Sequence, residues 1–342
     1  MILAGIDEAG YGPLLGPLVV SASAFALPGE MGDQDFSAAE SLWPQLERAI
    51  VRKGPLRSGR LIVADSKLVH AMAGGLGLLE RTVLAMRRQL PVAPLPENSP
   101  LTLWTFLEAL KLPRNPSRAN SRQQPLLPQP WYRQGAQNGG QLPVFTQADS
   151  LGIATSMLAG TMGTAGVTLA GLWSYVLDED MFNTQVRATG NKATVLTSAT
   201  FTHIAHLAEC FAGIGLLLVV DKQGGRAHYV PLLLRTFPDW QIKILAETPE
   251  ESSYYLHHES QRILLTFREK SELTSFPTAL ASMTSKYIRE LLMEAFNQWW
   301  CQRVPGLKPT AGYYQDGRRW LKDVQPHLAN LGIAQEQLMR IK

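Results

Sequence analysis

Gly5-Ile6-Asp7-Glu8-Ala9-Gly10-Tyr11-Gly12-Pro13-Leu14-Leu15-Gly16-Pro17 is the stretch on which the reading of the whole chain turns. An apolar run from Leu3 to Asp7 opens it and another, Gly16 to Phe25, follows it, both rich in small and β-branched residues. Glycine and proline crowd the bend between them, a pattern that predicts two strands joined as a hairpin-like pair. Asp7 and Glu8 then fall at the end of the first strand, where a Gly-rich bend leaves the backbone open to a ligand. Neighbouring strand residues point to opposite faces, so two adjacent acids reach a common ligand only where the strand is ending.

Working outward, Phe36 to Arg52 has apolar residues at helical spacing, Leu61 to Ala64 reads as a short buried strand, and Leu68 to Arg88 returns to helix. From Pro91 to Pro143 the composition shifts to Pro, Gln, Asn and Arg, with a helix-like island at Leu101 to Leu110 and no acid between Glu108 and Asp149. This marks an insertion at about residues 90–160. Beyond it, Ala165 to Val176 predicts a strand and Met181 to Ala212 mainly helix. Leu216 to Val220 is a five-residue apolar strand ending in Asp221. Arg226 to Thr236 reads as helix, Gln241 to Ala246 and Arg262 to Phe267 as extended, and Pro277 to Trp300 as a long amphipathic helix. The alternation predicts an α/β fold with a mixed sheet flanked by helices, because crossovers between parallel strands need a dozen or more residues and helices supply them. Residues 1–300 are expected to form the main domain, with the Pro-rich insertion inside it and a C-terminal helical segment, 301–342, packed on it.

Composition limits the classes of function. The 342 residues are 45% hydrophobic with a formal net charge of +3, which permits a polyanionic partner without demanding one. Two cysteines, Cys210 and Cys301, build neither a disulfide framework nor a zinc site. No signal-peptide core develops before Asp7, and no apolar run approaches the roughly 18 residues of a membrane span. The expectation is a cytoplasmic, monomeric protein with no membrane partner. Zinc-protease, α/β-hydrolase and Walker signatures are absent, and Gly10-x-Gly12-x-x-x-Gly16 misses the dinucleotide-binding spacing. His203 and His206, three apart on a helix, read as a satisfied or exposed pair rather than as ligands.

What remains is a set of acids at element ends. Asp221 closes the strand Leu216 to Val220, and Glu272 follows the extended segment Arg262 to Phe267, so Asp7, Glu8, Asp221 and Glu272 can converge on one mouth. Carboxylates packed together repel, and such a cluster calls for divalent cations; Mg²⁺ or Mn²⁺ prefers all-oxygen ligands with open water positions. Two such ions roughly 4 Å apart suit in-line displacement at a phosphodiester. For Asp221 or Glu272 taken singly, a helix cap or loop anchor is an equal reading.

The opening stretch resembles the G-I-D-E-A-G-R-G-P-x-x-G-P motif of ribonuclease HII. The likeness continues through Asp65-Ser66-Lys67-Leu68, Val219-Val220-Asp221, Lys270-Ser271-Glu272, the Ala281 to Lys286 run with Arg289-Glu290, and the Ala311-Gly312-Tyr313 turn. It spans nearly the whole chain outside the insertion. The resemblance implies a ribonuclease H-like fold and a metal-dependent endoribonuclease of the ribonuclease HII/HIII kind (type 2 ribonuclease H). Its partner would be an RNA/DNA hybrid or a duplex containing ribonucleotides. It implies Asp7, Glu8, Asp221 and Glu272 as catalytic and metal-binding acids, with a Glu in fourth place as in ribonuclease HIII; because the motif begins at residue 5, the expectation is that the extra N-terminal domain of that relative is absent. It further implies Gly10, Tyr11, Gly12, Lys67, Ser282 and Tyr313 as substrate-binding residues, with Ser282, Lys286 and Arg289 alternatively orienting their helix. Tyr11 departs from the family's arginine and lacks its planar donors, which puts a preference for a single embedded ribonucleotide in question. Lys222-Gln223-Gly224-Gly225-Arg226 brings positive charge close to Asp221 and suggests a phosphate contact, and Glu247 to Glu259 reads as inserted. A non-catalytic nucleic-acid-binding protein on the same fold is the alternative.

Overall fold

The computed structural model describes residues 1–29, 41–53, 59–91, 101–112, 127–138 and 140–341. The opening hairpin forms as expected: β1 (Ile2–Ala9) and β2 (Leu18–Ala26) pair antiparallel from Ile2 with Ala26 to Ala9 with Val19. Two short parallel strands, β3 (Ile50–Val51) and β4 (Leu61–Ile62), precede α1 (Ser66–Ala71) and α2 (Gly75–Arg87). The predicted continuous helix over Leu68 to Arg88 is therefore broken. Gly74 adopts a left-handed φ of 70°, and Gly75 sits so close to His70 that a Cβ there would lie 2.2 Å from its carbonyl oxygen. Of the predicted helix Phe36 to Arg52, residues 36–40 lie outside the described residues, and the rest is a turn leading into β3.

The helices α3 (Leu103–Leu110), α4 (Pro130–Asn138) and α5 (Ala148–Ala165) follow, then β5 (Thr168–Leu177), α6 (Glu179–Thr189), α7 (Lys192–Phe211) and β6 (Leu216–Asp221). The chain continues through α8 (Val230–Thr236), β7 (Gln241–Glu247), β8 (Glu251–His258), β9 (Gln261–Arg268), α9 (Phe276–Cys301), α10 (Tyr314–Val324) and α11 (Leu328–Leu331). Seven strands make one mixed sheet in the order β5-β2-β1-β6-β9-β8-β7, with β1, β6 and β9 parallel to one another. The segment that reads as inserted contributes β8, which with β7 extends the sheet beyond β9 as an antiparallel hairpin.

Alternation along β1 divides the protein into two cores. Ile2, Ala4 and Ile6 face α6 and α7 on one side, while Leu3 faces α9 on the other. On that α9 side Gly5 admits the helix onto the strand, since a Cβ would lie 2.2 Å from the backbone nitrogen of Thr278. α9 is a 26-residue helix buried along most of its length, seated across β1 and β2. Pro277 in its first turn and the Ser275 N-cap, which accepts from Thr278 N, fix where it begins.

The polar stretch read as an insertion is not peripheral. Trp131 of α4 is fully buried against Phe296, Trp299 and Trp300 of α9, and Leu151 and Leu158 of α5 belong to the same core. These few large apolar residues are diluted among Gln, Pro and Arg, which masks their helical spacing in the sequence. Trp320 of α10 packs 4.9 Å from Phe296 and 5.1 Å from Trp300, so the segment after residue 300 closes the same core. No described helix is long and apolar enough to cross a membrane.

Candidate active site

The sheet register brings the acids together. Parallel pairing of β1 with β6 ends at Ile6 opposite Val220, so the next residues, Asp7 and Asp221, emerge side by side at the carboxyl ends of two adjacent strands. Ligands of open α/β sheets bind at such ends because loops diverge there and leave a crevice. Carboxylate oxygens of Asp7, Glu8 and Asp221 lie within 4.8 Å of one another. Asp7 is 7% exposed; its Oδ1 accepts from the backbone N of Glu8 at 2.7 Å, and Ser285 of α9 donates to its main-chain carbonyl at 3.1 Å. Asp221 accepts at Oδ1 from both the backbone N and the hydroxyl of Ser271, each at 3.2 Å. That contact ties β6 to the single 3₁₀ turn Ser271–Leu273, on which Glu272 stands.

Glu272 lines the same cleft but does not join the tight trio. Its turn is held from the far side by Arg52, whose guanidinium donates to the Leu273 carbonyl. Lys67 enters the cleft from the first turn of α1, positioned by Asp65, whose carboxylate caps that helix by accepting from Lys67 N and Leu68 N.

Burial and mutual repulsion make the ionised trio costly. Glu8 is pushed up to about 7, first by burial, then by Asp221, with Lys67 opposing. Burial, followed by the charges of Glu8 and Asp221, holds Asp7 well above the usual carboxylate range. Asp221 and Glu272 are also raised, burial being the largest cause in each. A set of oxygens this close, desolvated and short of compensating charge, has the chemistry of a hard divalent-cation site.

Every residue expected to bind substrate lines this one cleft: Gly10, Tyr11, Gly12, Lys67, Ser282 and Tyr313. Gly10 has a φ of +88°, and a Cβ there would lie 2.5 Å from the Pro17 carbonyl and 2.6 Å from the Arg289 side chain, so glycine is required. Tyr11 is partly exposed, with the Lys192 ammonium 5.4 Å from its ring centroid. Tyr313 is 55% exposed at the rim, and Ser282 bonds Ser66 at 3.0 Å.

One expectation from charge pattern is corrected. Lys222 does not face a phosphate: it is 7% exposed and donates to the carbonyls of Thr248 and Pro249, both at 2.7 Å, fastening the β7–β8 turn. Gln223 is likewise occupied, bonding Thr197 and Thr200 of α7. His203 is buried with Nε2 against the Val20 carbonyl at 3.0 Å, and His206 packs on Trp173, so neither approaches the acids. Conversely, Arg289 does more than orient its helix. Almost fully buried, it donates to the Ala311 carbonyl at 3.1 Å and presses against Gly10, Gly16 and Gly312, locking the bend after β1 to the turn that carries Tyr313.

Mixed α/β architecture and three carboxylates meeting at parallel strand ends define an acidic cleft whose donors could hold a divalent cation. Over 94 residues the chain is 40% identical to ribonuclease HII of Syntrophotalea carbinolica, a match covering 26% of this chain and 40% of the relative. The chain thus spans about two fifths of the length of the curated relative it matches. Over that stretch the chain is similar to a type 2 ribonuclease H. No family model matches the chain. Among solved structures, the chain aligns over its full length with 95% of a chain in the PCNA:RNase HII complex from Archaeoglobus fulgidus, at 12% identity and a TM-score of 0.40. It aligns over 99% of its length with 92% of ribonuclease H2 from Pyrococcus horikoshii (12% identity, TM-score 0.41) and with 66% of Bst-RNase HIII in complex with Mn²⁺ (13%, 0.41).

Proposed function

We propose that this chain is a metal-dependent endoribonuclease that hydrolyses the RNA strand of RNA/DNA hybrids or ribonucleotides embedded in DNA. The observation that carries this reading is the meeting of Asp7, Glu8 and Asp221 oxygens within 4.8 Å at the ends of β1 and β6. Asp7, Glu8 and Asp221, with Glu272 from the adjoining turn, would hold Mg²⁺ or Mn²⁺. Bound there, the cations would supply charge compensation and an activated water for phosphodiester hydrolysis. Lys67 is suited to a phosphate as a point charge, and the open Gly10–Gly12 backbone offers polar groups to a ribose 2′-hydroxyl, the group that distinguishes RNA from DNA. Tyr313, exposed at the rim, is suited to stack on a sugar. Residues 1–300 would form the catalytic domain and 301–342 a segment completing its core.

Tyr11 favours one second reading: a nucleic-acid-binding protein with altered or lost catalysis, because a phenol lacks the planar donors of a guanidinium. The deciding test is cleavage of three labelled duplexes with Mg²⁺ or Mn²⁺. One contains a single ribonucleotide, one an RNA stretch opposite DNA, and one only DNA. Metal-dependent cutting confined to the first two is expected; binding without cutting under either metal overturns the nuclease reading in favour of the second.

A further inference from the structure

The bend between β1 and β2 is held from outside its own hairpin. Leu14 and Leu15 donate their backbone N–H groups to the Gly312 carbonyl at 2.8 and 3.1 Å. Gly16 donates to Glu179 Oε1 at 2.8 Å, and the same oxygen accepts from the Tyr132 hydroxyl at 2.8 Å. The Leu14 carbonyl in turn accepts from the backbone N of Arg340 at 3.0 Å. Residues 336–341 run across α6 as a strap gripped by Asn183. Its amide donates to the carbonyls of Glu336 and Met339, and its oxygen accepts from Ile341 N at 2.8 Å.

Within this strap the Arg340 side chain is anomalous. It is 3% exposed, lies 5.0 Å over the Phe182 ring, and none of its three guanidinium nitrogens has a hydrogen-bond partner. Glu179 is fully buried and its Oε2 is also unpartnered. Burial pushes Glu179 up to about 7, with Asp178 adding repulsion and Arg340 opposing both. Burial pulls Arg340 down to about 10, against the attraction of Glu179. Two desolvated opposite charges with spare hydrogen-bonding capacity are a poor filler compared with apolar residues of similar volume. Their effect falls on the one bond that Glu179 makes to the cleft loop.

We propose that Arg340 is a positioning residue: its charge acts on the Glu179 carboxylate that anchors Gly16, and the 336–341 strap thereby sets the conformation in which the Gly10–Gly12 backbone faces substrate. The consequence for catalysis rests on the nuclease reading; the consequence for the loop does not. Arg340 lies over Phe182, one helical turn from Glu179 on α6, and makes no guanidinium hydrogen bond, so its influence on the carboxylate is through charge and Arg340→Lys should behave as the unaltered protein.

The experiment is hydrogen exchange of the peptide spanning residues 10–18 in the full chain, comparing Arg340→Met, Arg340→Lys and Asn183→Ala. Cleavage of the RNA-containing duplex and Mn²⁺ affinity are measured alongside. Exchange about tenfold faster in Arg340→Met is expected, with a smaller rise in Asn183→Ala and none in Arg340→Lys. KM for the duplex should rise about fivefold at nearly constant kcat, with Mn²⁺ affinity retained because Asp7, Glu8 and Asp221 stand on strands and Glu272 on a turn that the strap does not touch. Unchanged exchange in Arg340→Met, or equal acceleration across the whole protein in both Arg340→Met and Asn183→Ala, overturns the proposal. If Arg340→Met does not fold, Asn183→Ala decides: a local acceleration at 10–18 supports the strap, its absence overturns it. Should the unaltered protein cut no duplex, the nuclease reading fails and the exchange result still judges the strap.

Discussion

Two parts of the acidic cleft are built differently. Asp7, Glu8 and Asp221 stand at the ends of β1 and β6, where a parallel register with buried side chains on both faces leaves no freedom of placement. Glu272 stands on a single 3₁₀ turn, connected to the trio through Ser271 and to the periphery through Arg52. A strand fixes a carboxylate through ladder hydrogen bonds and two packed cores; a turn fixes it through a few bonds that can be broken singly. The trio is therefore the rigid part of the acidic cleft, and Glu272 the adjustable one.

The largest expected effect follows from Asp7→Asn, which keeps the shape and removes a charge from the trio. Cleavage of an RNA-containing duplex should fall by about a thousandfold or more, whereas the metal-free melting temperature should rise by about 2 °C because repulsion is relieved. Undiminished cutting would show that the trio is not the reacting centre. Glu272→Gln should cost less, about ten- to a hundredfold, and excess Mn²⁺ should recover part of the loss. An effect equal to that of Asp7→Asn would abolish the distinction between the two regions.

Acidity separates them further. Glu8 rises from an ordinary value near 4.5 to about 7 on folding. Between those values the folded chain holds more protons than the unfolded one, so stability falls as pH rises from about 4.5 to about 7. Calorimetry of the metal-free protein should show that decline, and added Mg²⁺ should raise the melting temperature more at pH 8 than at pH 5.5. The pH-dependent decline should be smaller in a Glu8→Gln variant. The smallest effect is expected outside both regions, at Lys192 over Tyr11. Lys192→Gln should raise the duplex KM by about threefold and lower the salt slope of binding by about one, as for loss of one phosphate contact. Salt titration reads this directly, and an unchanged slope would limit Lys192 to packing on the ring.

The acids and the glycine bend were legible in the sequence because their signals are local. Asp7 and Glu8 end a run of apolar residues, Gly10 and Gly16 adopt φ values that favour glycine, and Asp221 follows five consecutive aliphatic residues. The α/β class and mixed sheet followed from the same periodicities. Less legible were elements whose apolar residues are sparse. β8, with its Ser, Tyr and His, lacks the aliphatic pattern of a buried strand, and α4 hides Trp131 in a run of Gln and Pro. Lys222 was misread because charge in a sequence carries no direction, and only the β7–β8 turn supplies the carbonyls it meets.

By itself, then, the sequence marked the candidate residues of the cleft and the kind of element on which each stands, since strand ends, caps and left-handed glycines are written within a few residues of one another. Tertiary structure alone decided how those elements meet. The register that puts Asp7 beside Asp221, the turn that holds Glu272 outside the trio, and the burial of Glu179 and Arg340 behind the cleft loop all depend on contacts between residues far apart in the chain. Such contacts are chosen by packing of the whole core, which no local window of sequence encodes.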